Sequence, residues 1–66
     1  MEIKNRLKEL RARSNLTQKD LSEKVGVTRQ TIVSLEKGTY VPSLLLAMNI
    51  AEVFQEQIEK IFFKGD

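Results

Sequence analysis

A chain of 66 residues with eleven Lys and Arg, nine Asp and Glu and a formal net charge of +2 makes one small domain with one modest core. It contains no Cys and no His, which excludes disulfides, Cys/His zinc sites and thiol or imidazole catalysis. No apolar run approaches the roughly 18 residues that a membrane span needs, and Met1 to Arg13 is too charged for a signal peptide, so a soluble cytoplasmic protein is expected.

The charge is unevenly placed. Residues 1–40 carry nine basic against five acidic residues, while 41–66 carry two against four. That basic half suits a polyanion, and ordinary scatter over a wet helical surface explains it equally well.

The elements follow in chain order. Ile3 is the apolar anchor of a short mixed segment that a brief strand would suit. Asn5 reads as the N-cap of a first helix running to about Arg13, with Leu7 and Leu10 on one face. Ser14-Asn15 is a turn, because Asn tolerates a left-handed backbone. Thr17 opens a second helix, and Asp20 three places on completes a capping box. Gly26 ends that helix, Thr28 opens a third, and Gly38 ends it. Pro42 forces Val41 out of the helical region, and Ser43 caps a fourth helix from Leu44 to about Phe54. This helix is close to apolar all round and is expected at the centre of the core, with Leu45 and Met48 toward its outer side. Ile58, Ile61 and Phe62 return at helical spacing, which gives a short fifth helix; Ile61-Phe62-Phe63 reads equally as the start of a strand.

The chemistry concentrates between Thr17 and Gly38. Leu21, Val25, Val27, Ile32 and Leu35 let two crossed helices share a core, which leaves Arg29, Gln30, Val33, Ser34 and Lys37 outward on the second of them. Arg29 and Gln30 lie in its first turn, and their side chains can bond guanine and adenine edges bidentately. Two short helices joined by a tight turn, with such residues on the second, form a helix-turn-helix that enters a DNA major groove. Val33 is a candidate for a thymine methyl. Gln18 and Lys19 stand at a helix N-terminus, where free N–H groups favour a phosphate.

The segments LKELR, LTQKDLSEKVGVTRQTIVSLEKGTYVPSL, IAEVF and IEKIF together resemble the phage-repressor and Cro-like (XRE-type) helix-turn-helix regulators, over about Asn5 to Phe62. The resemblance is closest to the short stand-alone members. It implies an all-α, five-helix, lambda-repressor-like DNA-binding bundle, one domain over 1–66 with its motif at about 17–37, in which N- and C-terminal segments pair as a small antiparallel sheet. It assigns base reading to Arg29, Gln30 and Ser34, and phosphate contacts to Gln18, Thr28, Lys37 and Tyr40, with Thr31 at the edge near a phosphate or a thymine methyl. Arg11 and Glu36 match a structural ion pair. A homodimer is implied, with Ile3, Leu45, Met48, Ile58, Ile61, Phe62 and Phe63 at its interface. Gln55, Glu56 and Gln57 depart from the family's Gly, apolar residue and Ser/Thr cap, which puts the junction of the fourth and fifth helices in question.

Double-stranded DNA is the expected partner, with no cofactor, metal, membrane or small-molecule ligand domain. An enzyme is not expected: the chain has no Gly-rich phosphate loop or metal-ligand cluster, and Glu52, Glu56 and Glu59 recur as a wet helical face would. A repressor of an inverted-repeat operator is the first functional reading. The rival is an antitoxin-like module that binds a partner protein and controls its own operon, against which stands the lack of a long disordered tail.

Overall fold

The computed structural model describes residues 2–65, so Met1 and Asp66 lie outside it. Its elements are β1 (Glu2–Asn5), α1 (Leu7–Arg13), α2 (Gln18–Val25), α3 (Arg29–Lys37), α4 (Leu44–Phe54), α5 (Ile58–Ile61) and β2 (Phe62–Gly65). This is a five-helix bundle closed by a two-stranded antiparallel sheet.

Local chemistry sets most boundaries. The Thr17 hydroxyl accepts from the Asp20 N–H at 2.9 Å, and the Asp20 carboxylate accepts from the Thr17 N–H at 3.0 Å. The bond from the Thr17 N–H holds the Asp20 carboxyl below its usual range. Thr28 accepts from the Thr31 N–H at 3.3 Å and Ser43 from the Leu46 N–H at 3.1 Å. These bonds satisfy N–H groups that have no partner within the first turn. Gly26 ends α2 at φ 73° and Gly38 ends α3 at φ 79°. Asn15 takes φ 57° in the α1–α2 turn.

Asn5 stands one residue further out than a cap normally does. Arg6 occupies the cap position of α1, and the Asn5 Oδ1 reaches past it to accept from the Leu7 N–H at 3.1 Å. The departures at the α4–α5 junction also have a visible consequence. Gln55 adopts the left-handed conformation at φ 49°, and Gln57 begins α5 without a side-chain cap bond. Glu56 lies in that link and accepts from the Gln57 N–H at 3.2 Å, and Glu52 and Glu59 lie on different helices, so the three do not form one helical face.

The core is built on Leu7, Leu21, Ile32, Leu35, Ile50 and Ile61, all fully buried. Each helix contributes at least one of these, so every helix is bound to the rest by apolar contact. α4 departs from the expected central position. Leu46, Ala47 and Ile50 are buried, whereas Leu44 and Leu45 are 71% and 68% exposed and Met48 is 50% exposed. Among the described residues Leu44, Leu45 and Met48 make one side of α4 that is left uncovered.

The C-terminal segment is a helix and then a strand. β2 pairs with β1 in the register Glu2↔Gly65, Ile3↔Lys64, Lys4↔Phe63 and Asn5↔Phe62. Paired residues share a face. Ile3 and Asn5 are therefore on the face of Phe62, which packs into the core, and Phe63 is on the other face with Lys4. The Arg6 guanidinium lies 5.6 Å from the Phe63 ring centroid, within cation–π range. Ile61 and Phe62 are buried in the chain's own core, which corrects their expected place at a subunit interface.

Candidate nucleic-acid interface

The helix that carries the candidate readers is held at its back and free at its front. Ile32 and Leu35 are the buried side of α3. The outward stripe, Gln30, Val33, Ser34 and Lys37, recurs at the spacing of one helical face. Arg29 and Gln30 stand in the first turn, both exposed, and Lys37 is exposed in the last turn. Val33, Ser34 and Thr31 are half-buried, so these three offer less side chain than the sequence pattern suggested.

Two elements converge on Glu36 near the end of α3. Arg11 of α1 donates from Nε to Oε2 at 2.5 Å and from Nη2 to Oε1 at 3.0 Å. Gln18, first in α2, donates from Nε2 to Oε1 at 3.1 Å. The Arg11 Nη1 also donates to the Leu16 carbonyl at 2.9 Å, so one guanidinium ties α1 to the α1–α2 turn and to α3. The bond to Glu36 raises the Arg11 pKa above its ordinary value. Burial pushes the Glu36 carboxyl up, but bonds from Arg11 and Gln18 and the charges of Arg11 and Lys8 outweigh it, leaving Glu36 below the usual carboxylate range. The pair stays ionised at neutral pH.

The Gln18 amide is oriented by that bond. Its Nε2 has two hydrogens, one given to Glu36 and one left over for an acceptor. Lys19 beside it is exposed at the start of α2. On the far side of α3, Thr28, Gln30, Thr31, Ser34, Thr39 and Tyr40 line an open cleft of about 300 Å³. Five of the six carry hydroxyls, and Thr28 and Thr31 share a hydrogen bond of 3.1 Å. Thr39 was missed by sequence reasoning; it follows the Gly38 cap and donates to the Ser34 carbonyl at 3.2 Å. Its only signal was its place just past a helix-ending glycine.

The structure therefore brings Thr28, Gln30, Thr31, Ser34 and Tyr40 together along one side of α3, and Gln18 to the other side through Glu36. Of the apolar residues expected between subunits, Leu45, Met48 and Phe63 are exposed and Ile3 and Ile58 half-buried. Among the described residues no group of His, Cys, Asp or Glu is placed to hold a metal ion, and no helix is long and apolar enough to cross a membrane.

A helix-turn-helix with a free polar recognition face, carried by a five-helix bundle, defines a DNA-binding class of protein. The helix-turn-helix family model matches residues 7–61, and the chain belongs to that XRE-type family of DNA-binding transcriptional regulators. It is 54% identical over 61 residues to the uncharacterized HTH-type transcriptional regulator YgzD of Bacillus subtilis, covering 92% of each chain. It is 56% identical over 64 residues to the uncharacterized HTH-type transcriptional regulator MJ0272 of Methanocaldococcus jannaschii, covering 97% of each. Its fold is similar to that of the restriction-modification controller protein C.AhdI of Aeromonas hydrophila, with a TM-score of 0.76, 27% identity and 83% of each chain covered. The family binds DNA and is not an enzyme family.

Proposed function

We propose that the protein is a cytoplasmic repressor that binds an inverted-repeat operator as a homodimer. The observation that carries this reading is the contrast along α3: Glu36 near its end is clamped by Arg11 and Gln18, while Arg29 and Gln30 at its start are exposed and free. A rigidly held helix with a free polar start suits entry into a major groove. Arg29 and Gln30 read bases, with Ser34 one turn on and Val33 against a thymine methyl. The second Gln18 N–H, Lys19, Thr28, Thr31, Lys37 and Tyr40 bond phosphates and fix the register.

Leu45 and Met48, with Phe63 and the half-buried Ile3 and Ile58, form the contact between subunits in this reading. A twofold axis there sets two recognition helices one DNA turn apart, roughly 34 Å. Bound across a promoter, such a dimer blocks polymerase. One observation favours a second reading, a module that also binds a partner protein. Val41 and Leu44 are 63% and 71% exposed and lie outside the residues assigned to the subunit contact.

Selection of random duplex DNA by the purified protein, followed by sequencing of the bound pool, tests the first reading. An inverted repeat with half-sites about ten base pairs apart is the expected result. A lone half-site removes the dimer, and a pool without enrichment at moderate salt removes sequence-specific DNA binding.

A further inference from the structure

The C-terminal end of α3 is held by its backbone as well as by the Glu36 side chain. Asn5, the last residue of β1, donates from Nδ2 to the Leu35 carbonyl at 2.7 Å. Its Oδ1 accepts from the Leu7 N–H at 3.1 Å. Only one orientation of the amide satisfies a carbonyl on one side and an N–H on the other. The main chain around it is fixed too. Asn5 pairs with Phe62 in the sheet, and the next N–H, that of Arg6, donates to the Ile61 carbonyl at 3.0 Å. One short side chain thus joins the sheet, the first turn of α1 and the end of α3.

The Leu35 carbonyl is in the last turn of α3, where carbonyls have no partner further along the helix. It accepts from the Gly38 N–H at 3.0 Å as well as from Asn5. Arg11 takes the next residue, Glu36, by its side chain. Asn5 takes the helix backbone itself, through a side chain with only two torsions.

The geometry points to Asn5 as a positioning residue for DNA reading, one that fixes the tilt of α3 against the sheet and so places Arg29 and Gln30. It rests on the reading of Arg29 and Gln30 as base readers. Arg29 is six residues upstream of Leu35, ~9 Å along the axis, so a tilt of about 10° at the clamp moves its Cα by about 1.5 Å. Base contacts tolerate about a third of that. An acceptor and a donor are both needed at this chain length. Asp lacks the donor, and Ser has a single short hydroxyl.

Asn5→Asp tests the role with minimal change of shape. It keeps the acceptor for Leu7 and places a negative charge at a helix start, which favours folding. It also sets a carboxylate oxygen against the Leu35 carbonyl. The measurement is the affinity for the selected duplex and for one altered at the base pair that Arg29 reads, at one salt concentration, with folding checked by circular dichroism. The expected result is a folded variant whose preference between the two duplexes falls at least about fivefold, the low end for removing one bidentate base contact, with binding to random duplex nearly unchanged. A folded Asn5→Asp with the wild-type preference overturns the role, whatever its Tm. If Asn5→Asp does not fold, Asn5→Ser, which keeps a hydroxyl near the Leu7 N–H, gives the same comparison. If the wild type shows no preference, the base-reading assignment fails and takes the positioning role with it; a selective wild type with equally selective variants removes the positioning role alone.

Discussion

Arg11 and Glu36 meet across α1 and α3 through two parallel N–H to oxygen bonds, with side chains only 14% and 8% exposed. A charge pair this sheltered is asymmetric in its effects. Its net contribution is small, because both ions lost water, yet one ion left without the other is costly. Glu36→Ala is expected to cost about 3 kcal/mol, lowering Tm by more than ~10 °C in a domain this small. Arg11→Met with Glu36→Leu is expected to recover most of that loss. Thermal denaturation of the single and double variants checks both expectations. A double variant no more stable than the single ones contradicts this account.

The same carboxylate sets an acid limit. Glu36 and Asp20 both have folded pKa values below their ordinary values. A depressed carboxyl stabilises the fold at pH above its unfolded value and loses that contribution as pH falls through the folded one. The chain has no His, the side chain whose ordinary pKa lies between about 5 and 8. Tm is therefore expected to be flat from neutrality to about pH 5 and to fall steadily below about pH 4. Glu36→Gln is expected to make that fall shallower. A steep change near pH 6 is the result that does not fit.

Reading and anchoring separate by salt and by sequence. Arg29→Ala is expected to cost about 1–3 kcal/mol on the selected operator and to relax preference at one base pair per half-site. Lys37→Ala is expected to weaken all duplexes alike and to lower the slope of log affinity against log salt by about 0.9 for each phosphate that it leaves unneutralised. Titrations at several salt concentrations on selected and random duplex distinguish the two. Equal losses on both duplexes for Arg29→Ala remove it from the base readers.

The α4–α5 junction leaves stability to gain. Gln55 holds φ 49° with a side chain that disfavours it. Gln55→Gly is expected to add about 0.5–1 kcal/mol after the entropy of a freer unfolded chain is counted. Gln57→Ser supplies a cap bond that α5 lacks and is expected to add a similar ~0.5–1 kcal/mol. Denaturant titration measures both, and neither change is expected to alter DNA affinity.

The proposed subunit contact is open to direct assay. Leu45 and Met48 are 68% and 50% exposed, so Leu45→Glu and Met48→Glu are expected to cost the isolated fold less than about 0.5 kcal/mol. In a dimer they place charge in an apolar contact. Sedimentation velocity is expected to show a dimer for the wild type and a monomer for the paired substitution. A dimer that survives both charges is held elsewhere.

The helices were legible in the sequence wherever their limits depend on neighbours. Thr17 with Asp20, Thr28, Ser43, Gly26 and Gly38 act within four residues of their own positions, and each is where local chemistry places it. On α4 the outward placement of Leu45 and Met48 was legible, but the exposure of Leu44 was not, because an apolar side chain there does not reveal whether another element lies opposite. Ile61 and Phe62 were misplaced for a different reason. At Phe62 the chain changes from helix to strand, the period of burial drops from 3.6 to 2, and Phe63 rather than Phe62 turns outward. In the site, Arg29, Gln30 and the Arg11–Glu36 pair carried motif signals, while Asn5 and Leu35 are 30 residues apart and no local pattern joins them.

The strands pair residues 2 and 65, the two extremes of the described chain. The ladder between them closes residues 2–65 into a ring, at the largest loop-closure entropy among the described residues, for two strands of four residues each. Such a seam frays before the helices do. Because Asn5 sits in it and holds the Leu35 carbonyl, a breath in that seam loosens the grip on a helix thirty residues away. One of the anchors of α3 is therefore only as still as the seam is shut.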